Sequence, residues 1–422
     1  MQRKSRLALA IVLLLSLSSP VHAAAPKAGT ACKKAGQTST SAGIKYTCIK
    51  SGKKLVWNKG VVLKKAEPVP VPSPETTVEV KSLLSNDPRI SALSALTSLD
   101  ICKTVDKTPD YYQNAVLHKN GFPRPVKSVS GKSSAKVLVI PLSFTDLPFR
   151  KEKYQRVQLF TSDLDTLNET IPLVKESFKK LSAGRFEITI DVLPEKDWWI
   201  INSDNPLIGG WGVDNFGKIV EIIDKHKKDF NFDDYDTYAF ITGFGVQGQA
   251  ELGSAQAQFS MTHKSAKLGS FNAVLMAGGF NNPTLWVHEL GHSLYGFEDL
   301  YLFSEAKTQT SGTLGIKDMN VPNKWDLMAD SSRGTFLEWN RYMMGWIYDS
   351  EVRCLSDQST SIHYLTDIDT TTDPKLLTIN LAPGVTLAAE ARNAAGVDKG
   401  LLLYTINTYI NHGEGPILTQ NS

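Results

Sequence analysis

Apolar and polar positions change period several times along this chain, and each change predicts an element. Lys136–Phe144 is a short apolar, β-branched run, which predicts a buried strand. Arg185–Val192 alternates with a period of two and predicts a strand. Tyr238–Thr242 and Asn272–Met276 predict two more. Leu173–Leu181 and Phe216–Phe230 place apolar residues at helical spacing, the second as an amphipathic helix. Beyond about residue 355 the signals are strands and turns, clearest at Leu401–Ile406. Gly43–Cys48 and Lys53–Trp57 predict two short strands around a Ser-Gly turn. Strands alternating with helices predict an α/β fold, and no repeat of solenoid period is present.

The two ends of the pattern differ. Arg3, Lys4 and Arg6 precede the apolar stretch Leu7–Leu17, and Val21-His22-Ala23 ends on a small residue. Residues 1–23 therefore read as an export signal, too short to span a bilayer. Residues 24–66 hold ten Lys and no Asp or Glu, and residues 67–84 open on alternating Pro. We expect a Lys-rich two-Cys module, then an extended linker, then a large α/β domain over 85–354 and a β-rich region over 355–422. An exported chain meets oxidising conditions, and its four Cys are even in number. Cys32 and Cys48 are the plausible local bridge, and Cys102–Cys354 follows by elimination.

With 422 residues, 41% hydrophobic and 21% charged, the chain can bury a core of domain size. A net charge of +3 excludes a nucleic-acid-binding protein as a whole, and no apolar run is long enough for a transmembrane span. The total hides an asymmetry: residues 67–422 hold 33 basic and 43 acidic side chains, a net of −10. The cationic module at 24–66 suits retention on an anionic cell-envelope polymer, or serves as a solubilising cap.

Chemistry concentrates in Asn282–Tyr301. Asn282 is a good N-cap and Pro283 suits the first helical position. On the helix that follows, His288 and His292 are four apart and share a face, with Glu289 one step round. Val287, Leu290, Gly291 and Leu294 form the packing stripe. Two imidazoles so placed reach one zinc ion, which lowers the pKa of a bound water towards ~7, and Glu289 is placed to take its proton as general base. This is the His-Glu-x-x-His signature of zinc peptidases. A third ligand is required, and Gly296 can turn the chain so that Glu298 or Asp299 is aimed at the site.

His288–Tyr301 together with Trp325-Asp326-Leu327-Met328 resembles the immune-inhibitor-A-type secreted zinc metallopeptidases, which are metzincin-like in pattern. The family places Gly three and Asp six positions after the second His; here Gly296 is four and Asp299 seven positions on. Matching the Asp-Leu-Tyr end favours Asp299 as the third ligand, and matching the spacing favours Glu298; we choose Asp299. The resemblance implies a zincin-type mixed twisted sheet with the active-site helix beneath it, Met328 packed beneath the metal, a helix over Trp339–Trp346, and a β-rich region containing Glu390–Arg392 and Gly400–Tyr404. It implies a protein or peptide substrate.

The extra residue also supports a second reading, a non-catalytic envelope-associated binding or adhesion protein on a degenerate peptidase fold. A third is a hydrolase of a non-peptide cell-wall amide. Asp233, Asp234 and Asp236 are candidates for a structural calcium (Ca2+), although they lack EF-hand spacing and a solvated turn is the plainer reading. His263, His363 and His412 stand alone and read as structural. Tyr295 and Tyr301 read as aromatic packing or oxyanion donors. Residues 77–134 are a candidate inhibitory segment.

Overall fold

A computed structural model describes residues 28–41, 44–52, 54–62, 99–107, 120–156, 159–205, 215–226, 234–243, 254–258, 271–302, 321–322, 325–332, 334–355, 361–368, 373–392, 399–410 and 413–420. The export signal, the Pro-rich linker, Asp233, His263 and His412 lie outside them. The chain forms two compact units, within Met1–Glu79 and Val80–Ser422.

The first unit is a small antiparallel sheet of β1 (Thr38–Ser41), β2 (Ile44–Ser51), β3 (Lys54–Trp57) and β4 (Val61–Val62). A sheet this size cannot bury enough apolar surface by itself, and the Cys32–Cys48 disulfide staples it, with Cα atoms 5.9 Å apart.

The second unit is mixed α/β. It runs through β5 (Ser134–Phe144), β6 (Tyr154–Arg156), β7 (Leu159–Thr161), α1 (Asp163–Leu181), β8 (Glu187–Val192), β9 (Trp199–Ile201), α2 (Asn215–His226), β10 (Thr237–Thr242), β11 (Ser254–Gln258) and β12 (Ala273–Ala277). It continues through α3 (Pro283–Tyr295), α4 (Glu338–Met344), β13 (Val352–Leu355), β14 (Leu376–Ala382), β15 (Val385–Arg392), β16 (Gly400–Asn407) and β17 (Ile417–Thr419). The main sheet has the order β11-β12-β10-β5-β8, with β9 also pairing to β5. Its pairings are parallel except β11 on β12, which is antiparallel at the edge.

Both faces of this sheet are covered, which is why its strands read as apolar runs rather than as alternation. Val137, Val139, Ala239, Ile241, Val274 and Met276 face the core shared with α1 and α3. Leu138, Ile140, Tyr238, Phe240, Ala273 and Leu275 face a second core with α2. The C-terminal sheet, ordered β13-β14-β15-β16-β17, adds Leu376, Ala388, Leu402, Tyr404 and Ile406 to the first core. Cys102–Cys354 ties the start of this unit to β13, with Cα atoms 5.7 Å apart.

One element differs in extent. The helix expected from Leu173 begins ten residues earlier, capped by Ser162, whose side chain accepts from Asp165 N. Pro172 lies inside it rather than stopping it. The carbonyl that loses its donor belongs to Asn168, which is exposed together with Pro172, so it lies on the face open to solvent. Among the described residues, no helix is long and apolar enough to cross a membrane.

Candidate metal centre

α3 starts and stops by the local rules read from its sequence. The Asn282 side chain accepts from the backbone N–H of Thr284 and Leu285, and Pro283 takes the first position. Gly296 ends the helix at φ 69°, and its N–H donates to His292 O. The turned chain then runs back along the last helical turn and delivers Asp299 to the polar face.

There the carboxylate meets both imidazoles. Asp299 Oδ1 lies 3.1 Å from His288 Nε2 and 3.1 Å from His292 Nε2, and the two Nε2 atoms are 3.3 Å apart. All three residues are buried. Their far ring nitrogens face backbone carbonyls: His288 Nδ1 is 2.9 Å from Leu327 O, and His292 Nδ1 is 2.7 Å from Phe297 O. A carbonyl only accepts, so each Nδ1 carries the hydrogen. In the neutral rings both Nε2 atoms then present lone pairs, towards each other and towards a carboxylate oxygen.

Three acceptors converging without a proton among them repel, and a cation relieves that. Without a metal the relief is protonation. Burial opposes a charged His288, but the Asp299 hydrogen bond and the charges of Glu289 and Asp299 outweigh it, and its pKa is pushed up to about 9. Burial would raise the Asp299 carboxyl, but His292 and His288 outweigh it and hold it well below the usual range. Two imidazole nitrogens and one carboxylate oxygen, within 4.8 Å of one another, can hold a metal ion, and they are the group of this kind found among the described residues.

Glu289 is buried beside this triad, and among the described residues its side chain has no hydrogen-bond partner. Burial raises its pKa, and the two imidazoles only partly offset that. Tyr301 is hydrogen-bonded to Asp299; burial first, then that carboxylate, raise its pKa and keep its hydroxyl protonated.

Glu298, the alternative third ligand, is turned elsewhere: its Oε1 accepts from Asn120 Nδ2, while Asn120 O accepts from Trp339 Nε1 at 2.9 Å. The extra residue after His292 therefore moves Glu298 aside and leaves Asp299 at the site. Asn120 falls within the candidate inhibitory segment, whose described part is built into the fold. Val129 N–H donates to Leu294 O, Gly131 N–H to Met344 O, and Arg124 to Tyr295 O.

Trp325–Met328 forms a tight turn behind the helix. Asp326 organises it, accepting from Met328 N, Leu337 N and Asn340 Nδ2. Met328 is buried, and its sulfur would lie 2.8 Å from a Cβ at position 291, so only Gly fits there without displacement. The neck of the loop is spanned by Arg392 of β15, which donates to Trp325 O and Phe336 O at 3.2 Å each and to Thr335 Oγ1 at 3.0 Å.

Of the remaining sequence candidates, Asp236 binds Lys132 Nζ at 3.0 Å and the Lys136 N–H, away from the triad. His363 pairs with Ser361 Oγ at 2.8 Å. Tyr295 is buried in an aromatic cluster with Phe186, Phe297 and Trp346. Sequence reasoning missed the two orienting carbonyls, Asn120 as the partner of Glu298, and Arg392 as the brace. Backbone carbonyls have no side-chain signature, and the other two lie far along the chain from the helix.

No protein-family model matches the chain, and no curated protein matches it.

Proposed function

We propose that this protein is a secreted zinc-dependent endopeptidase with zincin-type architecture, similar in plan to the immune-inhibitor-A-type enzymes. The observation that carries the reading is the convergence of His288 Nε2, His292 Nε2 and Asp299 Oδ1 beside the carboxyl of Glu289, which forms no hydrogen bond among the described residues. The donor set suits zinc, with three protein ligands and room for a fourth, exchangeable position. Zinc bound there supplies Lewis acidity to a scissile carbonyl and acidifies water to a pKa near ~7.

The chain's own residues do the rest. His288 and His292 bind through Nε2, held in that tautomer by Leu327 O and Phe297 O. Asp299 contributes charge, and Tyr301 fixes its orientation by hydrogen bonding. Glu289 takes a proton from the attacking water and passes it to the departing amine. The substrate backbone adds as a strand along the outer edge of β11, which packs against α3 and among the described residues pairs only with β12.

The decisive comparison is Glu289→Gln against the parent chain. The variant should bind zinc as tightly while peptide hydrolysis falls by about a thousandfold or more, since it removes the proton acceptor and no ligand. Undiminished casein cleavage by the variant would overturn the assignment. Zinc binding by a parent chain that never cleaves peptides would favour the non-catalytic binding reading.

A further inference from the structure

The lysines of the first unit are not distributed as a solubilising surface would be. A surface built for solubility mixes both signs of charge. This module holds ten Lys, no Arg and no acid between residues 24 and 66. Lys33, Lys34, Lys50, Lys54 and Lys59 are exposed, and among the described residues none is in an ion pair.

Four of them lie around the β2–β3 hairpin. Cys32 N–H donates to Leu55 O and Gly36 N–H donates to Cys48 O, so the Lys33–Ala35 turn lies across the β2–β3 hairpin. The disulfide at Cys32–Cys48 fixes it there. Lys50 and Lys54 flank the tip of that hairpin on its two faces, since Lys50 stands opposite Leu55 and Lys54 opposite Ser51. Like charges on both faces of so small a unit repel one another, and a flexible polyanion that wraps it neutralises them together. The acidic body, at −10 over residues 67–422, repels the same polyanion. Attraction is thus confined to one small unit.

Chemistry narrows the occupant. Sequence-reading of bases relies mainly on bidentate Arg and stacking on exposed aromatics, whereas this module has no Arg and holds Tyr46 and Trp57 half-buried. A membrane surface calls for an amphipathic apolar face, and the exposed large hydrophobic of the module is Ile49 alone among the described residues. Lys ammonium groups are point charges that suit phosphate without demanding its orientation. We propose that the Lys33–Lys34–Lys50–Lys54 cluster docks this exported chain on a flexible phosphodiester polymer of the cell envelope.

The test uses the mature full-length chain and synthetic poly(glycerol phosphate), with binding measured from 50 to 200 mM salt. Each neutralised phosphate contributes about −0.7 to the slope of log K against log salt on a flexible strand, so four to five contacts give about −3 and close to a hundredfold loss across that range. The fourfold variant K33Q/K34Q/K50Q/K54Q should flatten the slope by about 3, and the body variant K179Q/K180Q/K196Q should leave it unchanged. Glu289→Gln should bind the polymer like the parent, which separates this inference from the peptidase reading. A parent slope shallower than −1, an equal loss in the body variant, or tighter binding to duplex DNA or to anionic lipid vesicles than to the polymer would each overturn it.

Discussion

Helices α1 and α3 pack against each other under the same sheet, yet they are built on opposite plans. α1 buries a stripe: Asp163, Thr166, Leu167, Thr170, Ile171, Val174, Phe178 and Leu181, three or four apart. Its remaining positions are more open to solvent, and its polar residues there need nothing from the fold. α3 is buried at every residue from Trp286 to Tyr295, including two His, a Glu and a Ser. A buried polar group without a partner is costly, so a helix of this kind persists only where the tertiary structure supplies partners or function demands the polarity. For His288 and His292 the partners are carbonyls and Asp299. Among the described residues neither Glu289 nor the small Ser293 hydroxyl forms a hydrogen bond, and of the two it is the ionisable Glu289 that lies beside the triad, so the contrast with α1 points at chemistry rather than packing.

The contrast can be broken first at its apolar positions. Leu290 is fully buried and Leu173 of α1 is 55% exposed. Leu290→Ala should lower unfolding stability by about 2–5 kcal/mol and Leu173→Ala by about 0.5 kcal/mol or less, read by denaturant titration. Similar losses at the two positions would mean that α3 is not the more embedded helix.

The next largest effect concerns the brace. Arg392→Lys keeps a positive charge beside Glu390 but loses the planar fork whose Nη2 reaches Trp325 O and Phe336 O while its Nη1 reaches Thr335 Oγ1. The loop it clamps carries Leu327 O, which orients His288. Zinc affinity, measured by calorimetric titration, should fall about 10- to 100-fold, equivalent to roughly 1.4–2.8 kcal/mol. Unchanged affinity would show that the loop keeps its geometry without the C-terminal sheet.

The smallest effect tests what the two helices share. Each begins at a side-chain N-cap, Asn282 for α3 and Ser162 for α1. Replacing either with Ala should cost about 1 kcal/mol, because the cap bond is local and indifferent to how much of the helix is buried. A several-fold larger loss at Asn282 would show that the α3 cap also holds the chain entering from β12.

Local rules made much of this protein legible. The caps at Asn282 and Gly296 and the facing pair His288 and His292 follow from helical geometry acting over a few residues, and the structure has them where the sequence places them. The strands at β5, β8, β10, β12 and β16 follow from apolar runs and alternation, and the two disulfides from the spacing and number of Cys. The helical spacing read over Leu173–Leu181 caught only the second half of α1, which runs from Asp163 with Pro172 inside it.

The choice between Glu298 and Asp299 lay beyond local rules. Both follow the same turn, and their separation depends on Asn120, 178 residues upstream of Glu298, which draws one carboxylate away from the site. Likewise Leu327 and Arg392 act on His288 only because distant segments meet in one core. Sequence by itself determined which groups share a helical face, since that is a matter of 3.6 residues per turn. Tertiary structure alone decided which carboxylate joins them and what holds them in register, since those contacts close loops whose ends have no local reason to meet.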